Sequence, residues 1–309
     1  MPLRRSTTTV FLPSAGDRRA NAIVWIVLLA KAFADPCQRL LPWSDSPNAL
    51  KKFVPVVSNR TDKISKHDYH YMYHSKLAHL AVRLCRSEPS PQFRILEIGL
   101  GCRMPRGPGG SVALWLAMFP APIKLELHVM ELDGSCVQKW QTDFGAHAAR
   151  VSVHIGDQNS KDDLDRVYQD AGARPFDVII DDGSHFSEHQ RNTLWHMVTR
   201  DYVTPGGLFV IEDISASSCH NYVANDPRNP SKCKGLNCHN VVGKGAGMTG
   251  GTSGCIRLNN GKPTFLATLH EWQVELTQGN TLPVEGRVRH IDVYQQAAVV
   301  HIKHDGSQS

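Results

Sequence analysis

Two acidic pairs stand at the ends of two apolar segments that have the composition of neighbouring buried strands. The first segment stops at Asp181-Asp182 and the second at Glu212-Asp213. Ligands of open α/β sheets bind outside the carboxyl ends of the strands, and adjacent strands lie about 4.8 Å apart. Four carboxylates at neighbouring strand ends repel one another unless protons or a hard cation neutralise them. The pattern therefore predicts a divalent-metal site.

A histidine follows the first acidic pair, at the start of the next predicted helix. His185 lies three residues beyond Asp182. An imidazole has an ordinary pKa of about 6.5, which suits proton abstraction from a hydroxyl group at neutral pH. His185 is therefore the candidate general base, with a helix-cap or surface histidine as the alternative. For Asp181, a structural role in bonding nearby backbone N–H groups is as good an interpretation as metal ligation.

A glycine-rich turn follows an earlier strand, in the sequence Glu97-Ile-Gly-Leu-Gly, and the glycine-rich character continues to Gly110. Gly99 and Gly101 let the backbone approach a ligand closely, and the next helix offers free N–H groups. The dinucleotide fingerprint is incomplete because Met104 stands at the place of its third glycine. The turn predicts a nucleotide ligand without a pyrophosphate, and a turn without any ligand is the alternative.

Acidic residues also follow the next two predicted strands. Glu131-Leu-Asp133 can accept the two hydroxyl protons of a ribose, and Gly156-Asp157-Gln158 can read an adenine edge. Each acid alone is equally well explained as a helix cap or a solvated loop residue. Their order after successive strands is the more specific signal.

Strands and helices alternate through the middle of the chain, which predicts βαβ units and a parallel sheet covered on both faces. Two closing strands, 288–294 and 297–303, predict a terminal hairpin. The predicted strands are 94–98, 124–132, 151–155, 178–182 and 208–212, and the predicted helices are 67–85, 111–119, 136–144, 161–171, 188–202 and 264–277.

These motifs together resemble the class I S-adenosylmethionine-dependent methyltransferases. More narrowly, they are similar to the metal-dependent sugar O-methyltransferases of macrolide biosynthesis, the macrocin and mycinamicin type, and to the related cephalosporin hydroxylase group. Thr61-Asp62-Lys63, ahead of a Tyr- and His-rich helix, is similar to the motif that opens that family. The resemblance covers about residues 61–303 and departs from the family in the segment after Ile214.

The resemblance implies a Rossmann-like, mostly parallel seven-stranded sheet with helices on both faces and a C-terminal antiparallel hairpin strand. It implies S-adenosylmethionine and Mg²⁺ or another divalent cation as cofactors, and methyl transfer to a hydroxyl of a small-molecule or sugar acceptor. The implied cofactor-binding residues are Thr61, Asp62, Lys63, Glu97, Gly99, Gly101, Glu131, Asp157, Gln158 and Asp181; the implied metal ligands are Asp182, Glu212 and Asp213; the implied base is His185.

Two other functions stay open as alternatives. One is a nicotinamide-dependent oxidoreductase, against which the displaced third glycine and the terminal hairpin argue. The other is a non-catalytic binding module that keeps the fold. A nucleic-acid partner is not expected, because the net charge is only +5 and there is no run of five or six Lys or Arg residues. A homo-oligomer stays open.

The chain ends and the irregular parts complete the predicted organisation. Residues 1–60 form an N-terminal extension, in which 20–34 resembles a signal or anchor segment, with a plain extension or buried helix as the alternative. The cytoplasm is slightly favoured over the secretory pathway or a membrane anchor. Residues 61–309 form the methyltransferase domain, which contains an irregular insertion at 215–262.

The cysteines and the aromatic helix also leave alternatives. Cys85, Cys102 and Cys136 fall in predicted core elements and are expected to be free thiols. The insertion carries four cysteines that fit free or loop-stapling thiols, disulfides or a zinc site: Cys219, Cys233, Cys238 and Cys255. Tyr69, Met72 and Tyr73 are expected on the buried face of a helix. A stacking surface for a sugar or base is the alternative for the cluster Tyr69, His70, Tyr71, Tyr73 and His74.

Overall fold

The computed structural model describes Leu41, Trp43 and residues 46–53, 61–65, 67–87, 92–119, 123–214, 264–284 and 286–304. In chain order, the elements are α1 (Pro47–Leu50), a short 3-10 helix (Lys51–Phe53), α2 (Asp62–Ser65), α3 (His70–Ser87), β1 (Gln92–Ile98), α4 (Gly110–Met118), β2 (Lys124–Glu131), α5 (Gly134–Asp143), α6 (Gly145–Ala148), β3 (Val151–Ile155), α7 (Lys161–Asp170), β4 (Phe176–Asp181), α8 (Ser187–Thr199), β5 (Val203–Ile211), α9 (Phe265–Thr277), β6 (Val288–Tyr294) and β7 (Ala297–Ile302).

Seven strands of the described chain form one sheet in the order β3-β2-β1-β4-β5-β7-β6. Strands β1 to β5 pair in parallel, whereas β7 is antiparallel to both β5 and β6. The direction in which successive strands are added to the sheet reverses between β1 and β4. In open α/β sheets, ligands bind in the crevice at such a switch point. The predicted fold class, including the terminal hairpin, is confirmed.

A separate hydrophobic core covers each face of the sheet, because successive strand residues point to opposite sides. On β5, Leu208 and Val210 belong to the core under α3 and α4, while Phe209 and Ile211 belong to the core under α7, α8 and α9. Strands buried on both faces carry continuous apolar runs rather than alternating ones. This explains why the apolar runs of the sequence located these strands well.

Part of the predicted N-terminal extension packs into the first core. Leu41, Trp43 and Leu50 are all buried there, and the indole of Trp43 donates a hydrogen bond to the Met118 carbonyl at 2.6 Å. Residues 20–34 lie outside the described residues, as does the insertion at 215–262. The predicted domain boundaries stay a prediction. Among the described residues, no helix is long and apolar enough to span a membrane.

Several element boundaries differ from the prediction by two to five residues, and two of them have clear local reasons. Helix α3 begins at His70 rather than near His67, because Asp68 has a positive φ of 54° and breaks the helical path before it. Strand β5 begins five residues before the predicted start at Leu208, since the Pro205-Gly206-Gly207 sequence is absorbed as an irregularity in its pairing with β4. The short helices α1, α2 and α6 were not predicted.

A buried carboxyl near the start of β4 provides a test of the electrostatics within the sheet. Asp177 accepts a hydrogen bond from the Arg94 backbone N–H at 2.8 Å, and burial raises the pKa of Asp177 to about 6. The native state then holds this proton more tightly than the unfolded chain, so stability is lost as the pH rises through about 6.

We therefore expect Asp177→Asn to be more stable than the wild type by about 2 to 3 kcal/mol near pH 7.5, and by almost nothing near pH 4. Urea unfolding at the two pH values measures the difference. An equal difference at both pH values would show that the effect is packing rather than charge.

Candidate active site

The loops after the central strands are joined to one another by backbone hydrogen bonds. The Gly99 N–H donates to the Met130 carbonyl at 2.8 Å, the Asp182 N–H to the Ile98 carbonyl at 3.0 Å, and the Glu212 N–H to the Asp181 carbonyl at 2.9 Å. The ends of β1, β2, β4 and β5 are thereby brought together. The predicted acidic residues and the glycine turn therefore lie at one edge of the sheet.

The glycine turn packs directly against the loop that carries the first acidic pair. Gly99 has a φ of 103°, and a Cβ atom there would lie 2.3 Å from the Asp182 carbonyl oxygen. Gly101 also has a positive φ, of 77°. Only glycine combines this backbone conformation with such a close approach. The turn forms a cradle of backbone next to Asp182, which fits a nucleoside ligand held by backbone groups.

The acids predicted to bind the cofactor separate into two groups. Glu131 is half-buried at the end of β2, and its carboxylate accepts hydrogen bonds from the Leu100, Leu132 and Asp133 N–H groups. Asp157 is half-buried, and it accepts from the Asn159 N–H. Both lie at or just after the ends of strands of the parallel sheet, and a carboxyl group can accept more hydrogen bonds than these contacts use.

Gln158 and Asp181 are instead buried and bonded to each other. The Gln158 amide donates to both Asp181 carboxylate oxygens at 3.1 Å, while its own oxygen accepts from the Ser184 N–H at 2.6 Å. Burial raises the pKa of Asp181 to about 6. These contacts fix the loop between β4 and α8, which is the structural alternative that the sequence left open for Asp181.

A buried lysine joins three of the predicted acids. Lys63 has 1% of its side chain exposed, and its ammonium lies 3.3 Å from Glu97, 2.8 Å from Asp182 and 2.6 Å from Glu212. Burial opposes the charge, but the attraction of Asp182 and Glu212 outweighs it, so the pKa of Lys63 lies well above its ordinary value. Lys63 is thus the buried counter-ion that joins the carboxylates of the acidic cluster. Thr61, beside it, accepts a hydrogen bond from the Lys63 N–H at 3.3 Å, and Asp62 pairs with His67 at 3.3 Å.

Two tyrosines from α3 and the turn before it complete the cluster. Tyr69 donates to Asp213 at 2.9 Å, and Tyr73 donates to Glu212. Burial and the neighbouring carboxylates raise the pKa of both hydroxyls, so they stay protonated donors. The expected burial of Tyr69, Met72 and Tyr73 is confirmed. Their amphipathic spacing predicted the burial, but it gave no signal for the role of the two hydroxyls.

Asp182, His185 and Asp213 form the part of the cluster that faces the crevice. Their ligand atoms lie within 4.8 Å of one another, and each side chain is partly exposed. His185 and Asp213 have positive φ angles of 59° and 49°, a conformation that costs energy and is concentrated at functional sites. Two carboxylates facing a crevice fit Mg²⁺, which takes one or two protein carboxylates and completes its shell with water and substrate oxygens. Glu212 is turned toward Lys63 and Tyr73 instead.

The expectation of free thiols is wrong for all three described cysteines. Cys102 in the glycine turn and Cys136 in the first turn of α5 form a disulfide, with their Cα atoms 6.0 Å apart, and Cys85 is also disulfide-bonded. The sequence missed the pair because the turn carries Cys102 back over the start of α5, a proximity that a 34-residue separation does not reveal. Cys219, Cys233, Cys238 and Cys255 lie outside the described residues.

The disulfide anchors the turn that we expect to hold the cofactor. Closing a loop of 34 residues constrains the unfolded chain by about 3 to 4 kcal/mol. We therefore expect Cys102→Ser with Cys136→Ser to lower the free energy of unfolding by about that amount, measured by urea unfolding. A dithiol reductant also breaks the Cys85 disulfide, so it should cost the wild type about 3 to 4 kcal/mol more than it costs the double variant. A reductant effect of equal size in the double variant would assign the loss to Cys85.

The seven-stranded sheet, with its antiparallel closing strands, has a methyltransferase fold. The MycE methyltransferase from the mycinamycin biosynthetic pathway, solved in complex with Mg and SAH, superposes with a TM-score of 0.54 and 25% identity, covering 84% of this chain and 56% of that one.

Curated sugar O-methyltransferases are similar in sequence as well. Mycinamicin VI 2''-O-methyltransferase of Micromonospora griseorubida is 38% identical over 130 residues, and demethylmacrocin O-methyltransferase of Streptomyces fradiae is 35% identical over 130 residues. Each match covers 42% of this chain and 29% of the relative's length. No protein-family profile matches the chain. The predicted resemblance to this group is confirmed.

Proposed function

We propose that this protein is an S-adenosylmethionine-dependent O-methyltransferase that methylates a hydroxyl group of a sugar or another small molecule with the help of a divalent cation. The observation that carries the proposal is the contact between the glycine turn and the acidic cluster. Gly99 packs against the Asp182 carbonyl, so a nucleoside on the turn would lie beside Asp182, His185 and Asp213. A methyl donor and a deprotonation site must be adjacent for transfer to a hydroxyl.

In this proposal, each group of residues around the crevice has its own role. The backbone of Gly99 and Gly101 holds the nucleoside, Glu131 accepts from the ribose hydroxyls, and Asp157 accepts from the adenine amino group. Gln158 and Asp181 keep the loop after β4 in place. Thr61, Asp62 and Lys63 support the acidic cluster from the opposite side.

The cation would be held by Asp182 and Asp213, with Glu212 positioning Lys63 and Tyr73. Bound Mg²⁺ would lower the pKa of the acceptor hydroxyl and fix the direction of its oxygen. His185 lies 3.6 Å from Asp213 through its Nε2 atom, and it would accept the hydroxyl proton as the methyl group is transferred. Tyr69 orients the Asp213 carboxylate by its 2.9 Å hydrogen bond.

A sugar hydroxyl is the favoured acceptor. The curated relatives are named for O-methylation of mycinamicin VI and of demethylmacrocin, and MycE belongs to the mycinamycin pathway. A crevice that presents the partly exposed groups of Asp182, His185 and Asp213 suits the hydroxyl groups of a glycoside. Membrane association through 20–34 and a homo-oligomer stay predictions.

Calorimetry separates this proposal from the nicotinamide-dependent alternative. The full chain is titrated with S-adenosylhomocysteine and with NAD, each with and without Mg²⁺. We expect saturable binding of S-adenosylhomocysteine and none of NAD. Binding of NAD alone would replace the proposal with an oxidoreductase, and binding of neither would leave the non-catalytic module.

The proposed role of His185 has its own test. We expect His185→Ala to lower the methyl-transfer rate about 100-fold or more and to flatten the acidic limb that a histidine base would give the wild-type pH profile, because general-base catalysis contributes about 10² to 10⁴. Rates are measured across the pH range at saturating Mg²⁺ and S-adenosylmethionine. His147→Ala, an exposed histidine on α6, is the histidine control and should behave as the wild type. An acidic limb that persists in His185→Ala would assign the proton to another group.

A further inference from the structure

A second group of metal-ligating side chains lies on the terminal hairpin, away from the crevice. His290 and Asp292 stand on β6, and His301 stands on β7 opposite His290 in the antiparallel pairing. Residues two apart on a strand share a face, so all three side chains project from the same side of the hairpin. The site belongs to no step of the proposed methyl transfer.

The three side chains converge on one point. The Nε2 atom of His301 lies 2.8 Å from the Asp292 Oδ2 atom, and the Nε2 atom of His290 lies 3.5 Å from it. The two imidazole rings are stacked, with their centroids 3.8 Å apart. In a tetrahedral zinc site with ligand bonds of about 2.1 Å, the donor atoms lie about 3.4 Å from one another. The observed separations bracket that value.

We infer that His290, Asp292 and His301 bind a transition-metal ion of the Zn²⁺ class. Two imidazole nitrogens and a carboxylate oxygen form a donor set that suits Zn²⁺, Co²⁺ or Ni²⁺ and not Mg²⁺. Imidazole is mostly neutral above about pH 7, so its nitrogen lone pair is free to bind a metal. A fourth position is left for water.

An ion pair is the competing explanation for the cluster. The Lys76 ammonium from α3 lies 2.5 Å from the same Asp292 oxygen, and it would have to withdraw when a metal binds. The Lys76 side chain is 20% exposed, and its long flexible stem lets the ammonium move out to solvent. Lys76 therefore competes with the metal for Asp292, so removal of the ammonium should strengthen metal binding rather than weaken it.

The metal would bind on the same hairpin whose turn supports the acidic cluster, but away from that turn. The hairpin turn carries Gln296, whose carbonyl accepts hydrogen bonds from the Tyr69 hydroxyl and from the Ile214 N–H. His290 lies four residues before Tyr294 on β6, roughly 13 Å from the turn along the strand. Binding at the hairpin would join β6 and β7 at a distance from the crevice.

The experiment is a Co²⁺ titration of the full chain in saturating Mg²⁺, followed by visible absorption and by competition with Zn²⁺. We expect one Co²⁺ per chain that Mg²⁺ does not displace. His301→Ala should weaken it at least about 100-fold, whereas Lys76→Met should tighten it about fivefold by removing a like charge. His79→Ala, an exposed histidine on α3, is the matched control and should change nothing.

Each other outcome overturns the inference. No Co²⁺ binding in Mg²⁺, unchanged binding in His301→Ala, or weaker binding in Lys76→Met would leave the cluster an ion pair. His290→Ala, on the more exposed edge strand, repeats the test if His301→Ala unfolds. Mg²⁺ is saturating throughout, so an absence of Co²⁺ binding at the hairpin would not count against the proposed methyl transfer. If the proposed methyl transfer is wrong, Co²⁺ binding should still depend on His301.

Discussion

Asp213→Asn will lower metal-stimulated methyl transfer at least about 100-fold while changing the affinity for S-adenosylhomocysteine less than about threefold. The carboxylate lies with Asp182 and His185 within 4.8 Å, and it follows β5 rather than the glycine turn after β1. Asparagine keeps the shape and the bond from Tyr69 but removes the negative charge that a hard cation needs.

The measurement combines a rate assay with Mn²⁺ binding followed by paramagnetic resonance, which needs no acceptor. Asp143→Asn, an exposed carboxylate at the end of α5, is the control and should behave as the wild type. Glu212→Gln should retain Mn²⁺ binding, since Glu212 is engaged by Lys63 and Tyr73. Loss of Mn²⁺ binding in Glu212→Gln equal to that in Asp213→Asn would return Glu212 to the ligand set that the sequence predicted. Equal wild-type activity in chelator and in Mg²⁺ would remove the cation from the mechanism.

Lys63→Met will destabilise the protein by about 3 to 5 kcal/mol, the cost of leaving buried carboxylates without their counter-charge. Lys63 is the ammonium that bridges Glu97, Asp182 and Glu212. Burial already raises the pKa of Glu97 and of Glu212, and removal of the ammonium raises both further above their values in the unfolded chain. The loss should therefore grow as the pH rises and shrink in acid, where the carboxyls take up protons.

Urea unfolding of Lys63→Met near pH 5 and near pH 8 tests the size and the sign together. Lys139→Met is the matched control, because Lys139 pairs with Asp143 at 2.6 Å on an exposed helix face. Such a surface pair is worth less than about 1 kcal/mol. A loss of unfolding free energy in Lys63→Met that is as small as in the control, or that is larger in acid, would show that Lys63 is not the counter-ion of the buried carboxylates.

Most of the fold, and the convergence of the strand-end residues at one edge of the sheet, could be predicted from the sequence. Continuous apolar runs mark strands that are buried on both faces, and the acids that end those runs must meet at one edge of a parallel sheet. This logic placed Asp182 and Asp213 in one site, together with His185. It also placed Gly99 next to them, although the close contact with the Asp182 carbonyl became visible only in the structure.

The contacts that could not be predicted join residues far apart in the chain. Lys63 reaches Asp182 across 119 residues and Glu212 across 149, so no local pattern links them. Tyr69 and Tyr73 bond to the acids through their hydroxyl groups, whereas their rings follow the ordinary spacing of a buried helix face. The cluster on the terminal hairpin depends on the pairing of His290 with His301, which a strand boundary alone does not fix.

In the proposed function, the methyl donor and the cation occupy adjacent positions at the carboxyl ends of β1, β4 and β5. The most direct measurement is the relaxation of the ¹³C-labelled methyl group of S-adenosylmethionine when Mn²⁺ binds to the full chain. We expect strong paramagnetic broadening that disappears in Asp213→Asn while the nucleoside stays bound. A methyl resonance that stays sharp with both ligands bound to the wild type would show that the methyl donor and the cation do not bind next to each other.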